Sequence, residues 1–309
     1  MSERDPAIDD VVSAIRATAD VESRFARVFR GTFDQLYDGQ HTGRFSWDQL
    51  YKTEKTHFGT LMEINIRREF KELITDGTVL DFQVAGHEID CKYSFRMGGW
   101  MLPPESFGQL LLVCTANDEK SEWAIGVVRA RPEFLRAGVN RDLKSGLNQN
   151  GRSEIDWLFW GAEMPPNVLL RVDDATRASI FDDGLSGQGR VNQLFRSAQH
   201  MRIGRNAVAT VAQQDDFMKR VRANGGARSA LAPEGIVIIG GDYESHRHVA
   251  EQLGTEVPLQ GEFVSARLVV ANDGEPNTAL IAGAQWRLAM DSDSIVAAPE
   301  LPATRRSID

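Results

Sequence analysis

An aspartate and a lysine one residue apart, in Ile89-Asp90-Cys91-Lys92-Tyr93, are the residues of this chain best suited to chemistry on a charged substrate. Side chains alternate faces along a strand, so Asp90 and Lys92 share one side while Ile89, Cys91 and Tyr93 share the other. Asp81 lies on the preceding apolar run, and Glu63 lies farther upstream in Leu61-Met62-Glu63-Ile64-Asn65-Ile66. Three carboxylates and one lysine are the composition of a magnesium-dependent phosphodiesterase site. An Asp-x-Lys alone is more often a solvated surface pair, so the assignment rests on the four residues together.

Such residues need a frame to bring them together. The alternating runs 79–84 and 88–94 flank Ala85-Gly86, which predicts two strands joined at a tight turn. The stretch 60–73 predicts a helix whose inner face carries Leu61, Ile64 and Ile66 or Phe70, with Glu63 turned toward the sheet. Continuous apolar runs at 110–114 and 123–128 predict buried strands, and together these elements give a central mixed sheet. Spacing over 10–30 predicts one or two amphipathic helices, and 133–144 reads as a further helix with a modest basic face of Arg131, Arg136, Arg141 and Lys144. The run Gly161-Ala162-Glu163-Met164-Pro165-Pro166 breaks regular structure, since consecutive prolines continue neither a helix nor a central strand. It divides the chain into a domain at 1–160, a linker at 161–166 and a domain at 167–309.

Composition narrows the class. A hydrophobic share of 42% with 26% charged residues is ordinary for a soluble protein, and no apolar run approaches the length of a membrane helix. The acidic N-terminus does not read as a signal peptide, so the cytoplasm is expected. Cys91 and Cys114 stand in apolar settings without metal-ligand spacing and are expected as reduced, buried thiols. Leu36-Tyr37-Asp38-Gly39 resembles the Lys-x-Asp-Gly motif of DNA ligases but has leucine in place of the nucleophilic lysine, so no lysyl-nucleotide can form and the Asp-Gly reads as a turn.

The formal net charge of −9 hides a polarised distribution. Between Arg190 and Arg228 stand eight basic residues, Arg190, Arg196, Arg202, Arg205, Lys219, Arg220, Arg222 and Arg228, against only Asp215 and Asp216. Helical periodicity at 190–200, 204–213 and 215–223, followed by the strand-like runs 235–240 and 263–270, predicts a winged helix-turn-helix. In that reading 206–212 is the supporting helix and 217–222 the recognition helix, with Arg205, Lys219, Arg220, Arg222 and Arg228 as DNA-binding residues.

Several stretches together resemble the NaeI family of type II restriction endonucleases: Asp34-Gln35-Leu36-Tyr37-Asp38-Gly39-Gln40, Lys52-Thr53-Glu54-Lys55-Thr56-His57, Glu63-Ile64-Asn65, Val84-Ala85-Gly86, Asp90-Cys91-Lys92, 100–106 and 209–222. The resemblance implies an N-terminal endonuclease domain of restriction-enzyme-like α/β fold, a central mixed sheet flanked by helices, followed by an α+β winged-helix domain that binds a second, effector copy of the DNA site. It implies the catalytic set Glu63, Asp81, Asp90 and Lys92, with Glu63, Asp81 and Asp90 holding Mg2+. The interval from Glu63 to Asp81 is longer than the family's around 71–79, which leaves Asp76 as the alternative to Asp81. It also implies a homodimer cutting double-stranded DNA at a GC-rich palindrome such as GCCGGC, and a cognate DNA methyltransferase in the same cell. Two other readings share some of these features: a winged-helix regulator with an inactive nuclease-like domain, and a nuclease of the same fold that nicks one strand.

Overall fold

Residues 5–302 are described by a computed structural model, in which they form two compact units, one of residues 5–36 and 50–165 and the other of 37–49 and 166–302. No helix among the described residues is long and apolar enough to cross a membrane.

The first unit opens with α1 (Pro6–Arg16), capped by Asp5, whose side chain accepts from the Ala7 amide, and continues into α2 (Val21–Tyr37). Next comes a short helix, α3 (Gly39–Thr42), which belongs to the second unit, and then the long α4 (Lys52–Glu69). Six strands follow: β1 (Ile74–Asp76), β2 (Phe82–Val84), β3 (His87–Tyr93), β4 (Leu110–Asn117), β5 (Glu122–Arg129) and β6 (Asp156–Glu163), with the one-turn α5 (Gln149–Ser153) just before β6. They make one sheet in sequence order, antiparallel except for the parallel pair β3 and β4. The expected central mixed sheet is thus present. Ala85 and Gly86 both have positive φ, 50° and 82°, and form the two-residue turn that sets the register Phe82↔Ile89.

Aromatic packing fixes the helices on this sheet. Phe29 of α2 stacks on Trp123 of β5 with centroids 5.0 Å apart, and Phe58 of α4 lies 4.3 Å from the ring of Tyr93 on β3. That second contact places the middle of α4 beside the strand that carries Asp90 and Lys92.

Two local expectations fail here. The helix expected at 133–144 is a single 3-10 turn, Pro132–Phe134, followed by a loop. Gly138 and Asn140 favour turns over helix, and the Asn140 side chain accepts from the amides of Asp142 and Lys144 at 3.0 and 2.9 Å. Residues 161–163 of the expected linker also extend β6, pairing Ala162 with Trp123 and Glu163 with Glu122.

The second unit contains α6 (Val168–Arg171), α7 (Asp174–Ile180), α8 (Gly187–Ser197), β7 (Ile203–Gly204), α9 (Arg205–Ala212), α10 (Ala227–Leu231), β8 (Ile236–Gly240), α11 (Glu244–Leu253), β9 (Glu262–Val270) and the hairpin β10 (Ala279–Ile281) to β11 (Ala284–Leu288). The long β9 pairs antiparallel with β7, β8 and β11. Phe195, Val208, Val211, Leu231 and Ile238 meet in its helical core. The Asp38-Gly39 turn has a packing role: a Cβ on Gly39 would sit 2.0 Å from Thr210 Oγ1, so only glycine lets α3 press against α9. Leu36, the leucine at the ligase-like lysine position, is buried.

The segment 217–222, expected as a recognition helix, is a 3-10 turn, Phe217–Val221, ending in extended backbone at Arg222. Asn224-Gly225-Gly226 follows at once, with Gly225 at φ +76°, and leaves no room for a longer α-helix.

Candidate active site

Asp90 is buried in the middle of β3, between Ile89 and Cys91, and both its carboxylate oxygens are engaged. Oδ1 accepts from Lys92 Nζ and Oδ2 accepts from Ser106 Oγ. Lys92 sits two residues along the same face, half-buried, with its ammonium 3.7 Å from Asp81 Oδ2. That Asp81 oxygen also accepts from the Cys91 amide at 2.9 Å, which fixes the carboxylate against the edge of β3. Asp81, Asp90 and Lys92 are therefore brought together as the sequence suggests, although Asp81 lies in the loop just before β2 and not on the strand itself.

Glu63 approaches from α4. Burial, then the charge of Asp81, push its carboxyl above the ordinary range, while Arg67 offsets part of that from 3.4 Å. Asp76 is not in this group. It is exposed on the edge strand β1 and pairs with Arg67 at 2.6 Å.

Burial and the Asp81 carboxyl push Asp90 up to about 6, against the opposing pull of Lys92 and Ser106. Lys92 is also shifted up: burial lowers its pKa, but the two aspartates outweigh burial and hold the ammonium charged. The pair is a buried carboxylate held near its ionisation threshold by one fixed cation.

Four supporting residues are not apparent from the Asp-x-Lys pattern. Glu88 accepts from the amides of Thr78, Val79 and Leu80, the last two at 3.0 and 2.8 Å, and so shapes the loop that ends in Asp81. Those backbone amides hold the Glu88 carboxyl below its usual range. Glu88 is on the same strand face as Asp90 and Lys92, the one signal by which alternation could have found it. Gly77 closes the other end of the loop, where a Cβ would come within 2.2 Å of the Leu80 carbonyl. Arg67 donates to the Asp81 carbonyl at 2.5 Å and ties the loop to α4. Ser106 comes from a turn before β4, and nothing in its local sequence points to Asp90.

Among the described residues no three His, Cys, Asp or Glu side chains converge closely enough to cage an ion by themselves. The donors that do converge, the carboxylates of Asp90 and Asp81, are hard oxygens. That set suits a magnesium ion, which keeps waters and takes a phosphate oxygen from its substrate. Cys91 does not join them, because its hydrogen bond with Cys114 and its burial keep the thiol protonated.

The basic residues of the second unit are largely neutralised within it. Arg196 pairs with Glu234 at 2.7 Å, Arg202 with Glu262 at 2.6 Å and Arg205 with Asp242 at 2.5 Å, acids that lie beyond the basic stretch in sequence. Lys219 and Arg220 share Asp216 at 3.6 and 2.8 Å. Arg190 donates to the carbonyls of Val211 and Ala212 at the end of α9. Arg228, expected on DNA, is half-buried and donates to the Ile238 carbonyl of β8 at 3.0 Å, and burial lowers its pKa. Arg222 is exposed at the end of its turn. Local charge counting overstated the patch because the partners are distant in sequence and close in space.

The model of the family described as Restriction endonuclease NaeI matches residues 9–297. A curated protein of Lentzea aerocolonigenes, the "Type II restriction enzyme NaeI", is 48% identical over 305 residues, which covers 95% of this chain and 95% of that protein.

Proposed function

The chain belongs to the NaeI family of restriction endonucleases, and we propose that it is a type II enzyme that hydrolyses phosphodiester bonds in both strands of duplex DNA at a GC-rich palindrome. The convergence of Asp90, Asp81 and Lys92 on the interior strand β3 of a mixed sheet and the loop before β2 carries this reading. Asp90 and Asp81, with Glu63 behind them, would hold Mg2+ together with a phosphate oxygen of the DNA. A bound ion would supply Lewis acidity at the phosphorus and a more acidic water. Lys92 is placed to orient the attacking water and to offset the negative charge that grows on the phosphoryl oxygens. Asp90 holds Lys92 in place, and Arg67, Gly77 and Glu88 hold the Asp81 loop against β3. A palindrome presents the same scissile phosphate twice, which a homodimer with one such site per copy would meet. The protein would work in the cytoplasm beside a cognate DNA methyltransferase that protects the host's own sites.

For the second unit we propose a winged helix that binds an effector copy of the site. The order α8, β7, α9, α10, β8, β9 supports it, with the third helix at Ala227–Leu231 rather than at 217–222. Of the basic residues expected on DNA, Arg222 and Lys219 are the most accessible, and Arg205 and Arg220 would have to exchange Asp242 and Asp216 for phosphates. Substituting Arg222 and Lys219 by alanine should weaken binding across sequences and lower the salt slope by about two. Arg228→Ala should instead leave the slope unchanged and cost roughly 1–3 kcal/mol of stability, because it strips a buried carbonyl of its donor. A slope unaffected by the double substitution would remove the effector-binding surface from that turn.

The activity is tested by incubating the pure protein with supercoiled plasmid and genomic DNA, with Mg2+ or with chelator. Linear plasmid and discrete genomic fragments sharing one end sequence, formed only with the metal, are expected. Open circles alone would indicate a nicking enzyme, and intact DNA would refute the nuclease reading.

A further inference from the structure

We propose that Ser106 is a positioning residue for the catalytic centre: its hydroxyl fixes the plane of the Asp90 carboxylate and so sets the affinity of the site for its divalent ion. The inference rests on the nuclease reading above. Ser106 is fully buried, and its Oγ has Asp90 Oδ2 as acceptor while Lys92 Nζ engages Oδ1. A carboxylate with a donor on each oxygen cannot rotate about its Cβ–Cγ bond without losing one of them. Each oxygen still keeps a lone pair for an ion or an ion-bound water. Lys92 alone would not do this, since it engages only Oδ1 and the carboxylate could still turn about that one contact.

The backbone that delivers Ser106 is anchored at both ends. Ser106 closes the 3-10 turn Pro104–Ser106, with its amide on the Pro103 carbonyl at 3.0 Å. Upstream, Leu102 exchanges both backbone hydrogen bonds with Ser145, at 2.9 and 3.0 Å, and the Trp100 indole donates to the Cys114 carbonyl at 2.8 Å. Downstream, the Gly108 amide donates to the Ala130 carbonyl at 2.7 Å and the Ala130 amide to the Gln109 carbonyl at 2.8 Å, before β4 begins. A hydroxyl on so fixed a segment is a reference point, and the two prolines reduce its freedom further.

The test compares the parent with Ser106→Ala and with Ser106→Cys, which keeps the size but donates weakly. Mn2+ is titrated calorimetrically into each protein bound to a duplex carrying the cleavage site with a hydrolysis-resistant phosphate analogue. The Mg2+ needed for half-maximal cleavage and the thermal midpoint are measured alongside. Removing the hydroxyl should weaken Mn2+ binding and raise the Mg2+ requirement by roughly 10–100-fold, with Ser106→Cys in between and thermal midpoints close to the parent's. A parent-like Mn2+ affinity in Ser106→Ala would overturn the inference. So would a loss that tracks a fall in thermal midpoint instead of donor strength. Asp90→Ala separates the two failures: if it is inert while Ser106→Ala matches the parent, the nuclease reading stands and only the role of Ser106 falls.

Discussion

Asp90→Asn should abolish cleavage while leaving a protein at least as stable as the parent. The loss should reach a factor of about a thousand or more, because the substitution removes the carboxylate that we propose holds the ion and that engages Lys92. The stability follows from the direction of the pKa. Asp90 has a folded-state value of about 6 against an ordinary 3.8, so folding binds a proton between those values and native stability rises as pH falls through that window. Above pH 6 the fold carries the cost of a buried charge that the unfolded chain does not. A neutral amide of the same shape removes that cost, and Asp81 at 3.7 Å still supplies Lys92 with a counter-charge. Chemical denaturation at pH 7.5 and a cleavage time course on the same preparation check both parts, and a variant that cuts at the parent's rate refutes the assignment of Asp90.

Lys92→Ala should slow cleavage by roughly a hundred- to a thousand-fold, with the acidic limb of its pH profile moved upward. Lys92 is the cation that opposes burial at Asp90, so without it the carboxyl takes up a proton at higher pH. The residual activity should therefore be confined to more alkaline solutions than the parent requires. Lys92→Arg should not restore the rate, since a planar guanidinium presents a different donor geometry and cannot reproduce one ammonium set between Asp90 and Asp81. An unchanged pH profile in the residual activity of Lys92→Ala would show that the lysine acts elsewhere than on Asp90.

The centre of this site was legible because strand alternation is a strong rule: it put Asp90 and Lys92 on one face, and the Ala85-Gly86 turn fixed the hairpin that carries them. The choice between Asp81 and Asp76 was not legible, as both lie in the stretch between α4 and β3. It is made by the Cys91 amide and Lys92, which gather Asp81, and by Arg67, which takes Asp76. Ser106 and Arg67 were invisible for the same reason, since each acts through a contact that only the folded backbone creates.

In the second unit, periodicity located α8, α9 and the long strand β9 but misjudged 217–222, where Gly225-Gly226 cuts short a segment of helical composition. Local charge counting also missed pairing across the fold. A window of sequence registers Arg196 and Arg202 as unpaired, whereas Glu234 and Glu262 reach them through the fold. Arg228 shows the same effect in another form, a basic residue turned inward to hold a strand carbonyl.

The central claim is that Asp90 and Asp81, beside Lys92, form the place where the ion and the scissile phosphate meet. A crystal structure of the protein with its cognate duplex and Mn2+, read by the anomalous signal of the metal, tests it most directly. The claim predicts a peak bonded to carboxylate oxygens of Asp90 and Asp81 and to one phosphate oxygen. A peak on Asp76, or a DNA complex whose metal avoids Asp90, would contradict it.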